Sequence, residues 1–212
     1  AEAAFDTGGH LAGAIAFITQ IGAAGLAFEA DHTTYATYQE LSKKLSVALR
    51  PTSRDVERLR LIKDETEVAL IREAARRADM ALRAFLADLR PGPSERRLAL
   101  ELQSALVDQD VEPAFATIMA SGPSAACPHA VPCSRPLSEG DMLKIDMGAR
   151  FEGYCSDITR TLFVGEPTER FRAIYNLVLQ AQQAAVAAAR PGLTGRELDQ
   201  VARDIIAAGG HG

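Results

Sequence analysis

Two aspartates eleven positions apart, Asp146 and Asp157, are the residues with the clearest potential for chemistry. They lie in the run Leu143 to Thr161, which reads as two strands around a tight turn. With Phe151-Glu152 as a two-residue turn, Arg150 faces Gly153, Gly148 faces Cys155 and Asp146 faces Asp157. Directly opposed residues put their Cβ atoms about 4.5–5.5 Å apart on one face, where two carboxylates repel unless a cation lies between them. Divalent ions about 3.5–4 Å apart suit carboxylates that bridge or chelate. The plainer alternative stays open on spacing alone: one aspartate faces solvent or caps a turn, and the other pairs with Arg150 or Arg160.

The elements that must position this pair are legible in outline. Met142–Ala149 and Gly153–Val164 are predicted strands, with another at Phe115–Ser121 and a proline-rich loop at Gly122–Pro136 between them. Upstream, Thr66–Leu89 carries Val68, Ile71, Ala75, Ala78, Leu82, Phe85 and Leu89 at helical spacing. Pro91-Gly92-Pro93 stops that helix, and Ser94 caps a second one running to about Val107. In the first fifty residues, Gly25–Ala30 reads as a strand. Thr34–Leu49 reads as a helix with Tyr35, Tyr38, Leu41 and Leu45 on one stripe, broken at Arg50-Pro51. Ala1–Gly22 has no clean period and predicts nothing.

The chain also resembles itself. Arg90 to Leu98 recurs as Arg190 to Leu198, in a register that also matches Arg72 with Arg172 and Ala81 with Ala181. Each copy ends a helix, breaks at Pro-Gly and restarts behind a Ser or Thr cap. In that register the second copy has its two helices but not the strand and hairpin, so the expectation is a chain cut short.

Composition bounds the rest. A hydrophobic share of 47% and a charged share of 24% are those of a globular domain with material for a core. The net charge of −5, with no isolated Lys/Arg block, argues against a nucleic-acid surface. No apolar run is long enough to span a membrane. Three cysteines give no disulfide framework, so a reducing cytoplasm is the expected setting.

Asp146-Met147-Gly148, Gly153-Tyr154 and Ser156 to Thr161 together resemble the first metal-ligand motif of the Xaa-Pro peptidase family, which contains proline aminopeptidases and proline dipeptidases. Leu59 to Val68 is similar to the segment that opens the family's catalytic domain. Ser121 to His129 resembles its substrate-side histidine loop, and Phe28-Glu29-Ala30 the end of its leading domain.

The resemblance implies an α/β pita-bread fold of two pseudo-symmetric αβ halves. Here the first half is expected at about 64–165 and the start of the second at about 168–212. Together they form a truncated catalytic domain, 54–212, behind a remnant, 1–53, of an N-terminal αβ domain.

It also implies a dinuclear site of two Asp, one His and two Glu, of which only Asp146 and Asp157 fall within this chain. His129 is expected to contact substrate and the developing oxyanion without being a main metal ligand. His211 falls where the family has an aromatic residue and is left out. The implied cofactor is two divalent ions, with Mn²⁺ favoured by hard oxygen ligation and Co²⁺ or Zn²⁺ as alternatives. The implied partners are short proline-containing peptides and, at full length, a second copy in a homodimer. Two other readings of the same fold, a non-catalytic interaction scaffold and a creatinase-like metal-free hydrolase, are disfavoured by both aspartates being kept. The chain as given is expected to be inactive.

Overall fold

The computed structural model describes residues 10–211. The chain forms two compact units that divide between Thr66 and Glu67.

The leading unit contains α1 (His10–Gln20), β1 (Gly25–Glu29), α2 (Tyr35–Lys44), β2 (Ala48–Thr52) and α3 (Asp55–Leu61). β1 and β2 pair in parallel from Gly25 opposite Ala48 to Glu29 opposite Thr52. Here the structure corrects two expectations. The helix from Thr34 ends at Lys44, and Ala48–Thr52 is a strand that takes in Pro51 instead of being broken by it. Pro51 is tolerated because, among the described residues, β2 pairs only with β1, so a missing N–H on its other side costs no ladder bond there. Thr34 caps α2 by accepting from the Thr37 N–H at 3.2 Å. Leu41 and Leu45 pack with Ile18 of α1, whereas Tyr35 is exposed and lies off the buried stripe.

The second unit begins with α4 (Glu65–Ala87), which starts just before the division, and α5 (Glu95–Val107). The strands β3 (Glu112–Pro113), β4 (Ile118–Ser121), β5 (Met142–Met147), β6 (Ala149–Phe151), β7 (Tyr154–Cys155) and β8 (Ile158–Phe163) follow, then α6 (Glu169–Ala188) and α7 (Gly195–Ala208). The strands make two antiparallel three-stranded sheets, in the orders β4-β5-β8 and β3-β6-β7. Burial along β5 alternates strictly. Leu143, Ile145 and Met147 are fully buried, while Met142, Lys144 and Asp146 are only partly so. The buried row joins Ala78, Ala81, Leu82 and Phe85 of α4 and Leu98, Leu102 and Leu106 of α5 in one core. The period-2 pleat therefore turns the other row, with Asp146, away from that core.

The two helix pairs repeat one device. Ser94 accepts from the Arg97 N–H, and Thr194 from the Glu197 N–H in a full capping box. Before each cap, Gly92 and Gly192 take positive φ of 109° and 93°. The internal resemblance of the sequence thus corresponds to a repeated helix–turn–helix.

Candidate metal centre

The aspartates sit where two sheets share one hairpin, and its turn is displaced by one residue from the sequence expectation. Glu152 and Gly153 form the turn, with φ of 47° and 82°, the double positive pattern of a type I′ hairpin. Phe151 consequently pairs with Tyr154 and Arg150 with Cys155. The register slides by two, and Asp146 stands opposite Thr159, not Asp157. A shift of two preserves the faces, so the aspartates are diagonal neighbours on the same side rather than a directly opposed pair.

Gly148 creates the gap between them. It separates β5 from β6 and approaches the other strand so closely that a Cβ there would lie 2.0 Å from the Ser156 carbonyl oxygen and 2.9 Å from the Phe115 ring. Across the break, the Ser156 hydroxyl accepts from the Ala149 N–H at 3.0 Å, and the Ser156 N–H donates to the Ala149 carbonyl at 2.9 Å. A side chain thus repairs the ladder where the strand is interrupted, leaving Asp157 outside regular pairing. The turn itself is tied to α4 by the Tyr154 hydroxyl, which donates to Glu67 Oε1 at 2.9 Å.

The electrostatics mark the pair. Partial burial raises the Asp157 carboxyl above its ordinary range, and the negative charge of Asp146 and a hydrogen bond with that carboxyl raise it further. Asp157 as a residue stays exposed, so the Asp146 contribution is the part that a bound cation would reverse. The arginines nearest in sequence do not neutralise the pair. Arg150 pairs with Glu112, and Arg160 donates to the Thr159 carbonyl. Among the described residues neither aspartate is in an ion pair. Asp146 instead accepts from the Thr159 hydroxyl at 3.0 Å. Two adjacent hard oxygen donors without a counter-charge fit a divalent cation.

His129 lies in an exposed turn after a short 3₁₀ segment, Gly122–Ala126. The link from its turn to the aspartate face is Lys144, two residues before Asp146 on β5. Its ammonium donates to the Cys127 carbonyl and, at 3.1 Å, to the Pro128 carbonyl. The ends of the loop are held by Glu95, one of the few buried charged residues, whose carboxylate meets Ser121 and Cys133. Burial alone would raise the Glu95 carboxyl, but these hydrogen bonds outweigh it and hold the group below its ordinary range. Neither Lys144 nor Glu95 stood out in the sequence. Their partners are 16 and 17, and 26 and 38, positions away, beyond any local pattern.

Among the described residues, the one grouping of three or more possible metal ligands within 4.8 Å is elsewhere, at Glu29, His32 and Glu57 in the leading unit. It is a surface cluster, with the His32 and Glu57 side chains 70% and 47% exposed and 3.9 Å apart. His129 is therefore not gathered with both aspartates into one such cluster.

The mixed α/β architecture is that of the pita-bread fold. The profile of metallopeptidase family M24 matches residues 69–212, and that of the creatinase/prolidase N-terminal domain matches residues 6–62. The chain belongs to the M24 metallopeptidase family. It is 42% identical over 180 residues to an Xaa-Pro dipeptidase of Pyrococcus horikoshii, covering 84% of this chain and 51% of that protein. It is likewise 42% identical over 197 residues to an uncharacterised peptidase of Bacillus subtilis, covering 92% and 56%. Among solved structures, an Xaa-Pro dipeptidase from Bacillus anthracis superposes with a TM-score of 0.89 at 40% identity, over 94% of this chain and 57% of that one. The prolidase from Pyrococcus furiosus superposes with a TM-score of 0.80 at 37% identity, over 87% and 55%. The chain thus spans about half the length of the relatives it matches.

Proposed function

We propose that this chain carries the aspartate pair of a two-metal site in a peptidase that hydrolyses the Xaa-Pro bond of short peptides. The observation that carries the reading is the Asp146–Asp157 pair, diagonal neighbours on one side of the hairpin and unneutralised by any basic side chain among the described residues. The Xaa-Pro dipeptidases among its relatives support the substrate class. Asp146 and Asp157 would hold the metal, and the Thr159 hydroxyl orients the Asp146 carboxylate. Divalent metal, when bound, supplies the positive charge that lowers the pKa of water towards neutrality. His129 is assigned the donor role towards the oxyanion that develops on the scissile carbonyl, the place where fixed dipoles contribute most. The donor chemistry favours Mn²⁺ over Co²⁺ or Zn²⁺. Cytoplasmic location and a full-length homodimer are carried over from the family resemblance.

The 212-residue chain alone offers only two of the five ligands that the resemblance calls for, and we assign it weak metal binding and no measurable turnover. Calorimetric titration of the full-length protein with Mn²⁺ tests the site: Asp157→Asn must abolish tight binding, and retention of the parent affinity would overturn the assignment. Robust hydrolysis of an Ala-Pro peptide by the 212-residue chain alone would overturn the assignment of inactivity.

A further inference from the structure

Glu95 is the first residue of α5 and is only 1% exposed, yet among the described residues it is in no ion pair. Its carboxylate is fully used. Oε1 accepts from the Ser121 N–H and the Ser121 hydroxyl, both at 2.7 Å. Oε2 accepts from the Cys133 N–H and the Cys133 thiol, both at 3.1 Å. Ser121 closes β4 and Cys133 closes the loop, so the two oxygens grip the two ends of the segment that carries His129.

Backbone bonds extend the grip. The Glu95 N–H donates to the Arg135 carbonyl at 3.0 Å, and the Arg96 N–H to the Cys133 carbonyl at 3.0 Å. Arg135 then reaches back to the Ser121 hydroxyl at 2.6 Å. Burying a carboxylate is costly unless its acceptor sites are filled. A group that needed only packing would be apolar here, next to Leu98, Leu102 and Leu106 in the same helix. Only an anion with two equivalent oxygens accepts two donors at each end. The pattern therefore specifies loop geometry rather than mere stability.

We propose that Glu95 is a positioning residue for the histidine loop: it ties both loop ends to the α5 core and thereby fixes where His129 meets the substrate. The inference rests on the assignment of His129 to the reaction made above. Glu95→Gln is nearly isosteric but has a single carbonyl oxygen, so its amide N–H₂ faces donors at one end and releases that end. Cys133→Ser keeps a hydroxyl donor to Oε2, and Cys133→Ala removes it.

The test uses full-length protein and steady-state hydrolysis of an Ala-Pro dipeptide, with Mn²⁺ affinity measured alongside. Expected are a fall in kcat of at least tenfold for Glu95→Gln, Mn²⁺ affinity within threefold of the parent, and a smaller loss for Cys133→Ala that Cys133→Ser restores. In a His129→Ala background Glu95→Gln should cost less than twofold, because the loop then has no histidine to position. Full additivity of the two substitutions, or an unchanged kcat in Glu95→Gln while His129→Ala is impaired, overturns the proposal and leaves the His129 assignment standing. An unimpaired His129→Ala overturns that assignment instead. Should Glu95→Gln fail to fold, the Cys133 pair decides, and equal activity of Cys133→Ala and Cys133→Ser counts against the latch.

Discussion

Thr159 stands directly across the ladder from Asp146 and donates its hydroxyl to Asp146 Oδ1 at 3.0 Å. The bond fixes the rotation of the carboxylate on the face it shares with Asp157. Partners that orient a metal-ligating group typically contribute 10–100-fold to metal affinity. Thr159→Val keeps the β-branched shape and removes only the hydroxyl. Mn²⁺ affinity of the full-length protein should fall by about tenfold while the fold is kept, as measured by calorimetry and far-UV circular dichroism.

Asp157 makes a separate prediction about the metal-free chain. Its folded-state pKa is raised by burial and by Asp146, so its favourable contribution is present below the ordinary aspartate range and is lost as pH rises through the raised value. Asp157→Asn cannot ionise and escapes that loss. Without metal, the variant should match the parent in acid and become more stable towards neutral pH. For a solvent-screened like-charge pair the gain is about 0.2–1 kcal/mol, or roughly 0.4–4 °C in melting temperature. Thermal melts of both proteins in chelator across the pH range check this, and a variant less stable than the parent at neutral pH would contradict it.

The hairpin shows how far sequence reasoning reaches. Alternation in Met142–Met147 fixed which side chains face the core, and a face assignment survives any register error of two. The register itself depended on the turn. Glu152-Gly153 takes positive φ at both positions, a choice that Gly153 hinted at and Glu152 concealed. Asp146 and Asp157 were therefore found on the correct face with the wrong pairing. The short α1 was missed because its packed stripe, Leu11, Ile15 and Ile18, is masked by Ala12, Ala14, Ala16 and Phe17, which make the helix apolar on most of its circumference. Glu95 was invisible for another reason: an acid in the first turn of a helix is generic, and only the fold brings Ser121 and Cys133 to it.

Arg135 and Asp141 form a second support beneath the histidine loop. The guanidinium meets both carboxylate oxygens at 2.6 and 2.8 Å, and the Ser138 N–H adds a third donor at 2.9 Å. The Arg135 hydrogen bond leads in holding the Asp141 carboxyl below its ordinary range, against the burial that would raise it. The linkage sign is opposite to that of Asp157: stability is present above the unfolded pKa and is lost as pH falls through the depressed value. Asp141→Asn should cost about 1.5–3 kcal/mol at neutral pH, with the difference from the parent shrinking in strong acid. Urea unfolding at both pH values measures it.

Gly148→Ala tests the close approach that interrupts the strand. The added methyl would meet the Ser156 carbonyl oxygen at 2.0 Å, a backbone atom that cannot rotate away. The strands must separate, and the Ser156 repair of the ladder goes with them. A loss of roughly 1–3 kcal/mol or more is expected, at the high end for one methyl group. Denaturant unfolding gives the stability. A crystal structure with the parent Asp146–Asp157 arrangement and unchanged stability would refute the account.

Lys144 couples the ligand strand to the loop in a way that needs no substrate to detect. Its ammonium holds the carbonyls of Cys127 and Pro128, immediately before His129, from a position two residues before Asp146. Lys144→Met keeps most of the side-chain stem and deletes both donors. A hydrogen bond from a charged group contributes about 1.5–3 kcal/mol, and exposure here places the loss at or below the lower end, a factor of roughly ten in local opening. Amide exchange at Ala126 in the 3₁₀ segment and at Cys127, whose N–H donates to the Ser124 carbonyl, should therefore quicken by about tenfold, while Ile145 and Met147 in the core row exchange as before. The contrast between those two sets is the decisive measurement. Equal acceleration in both would show that Lys144 supports the sheet rather than the loop, and no acceleration in either would show that the loop is held by Glu95 and Arg135 alone.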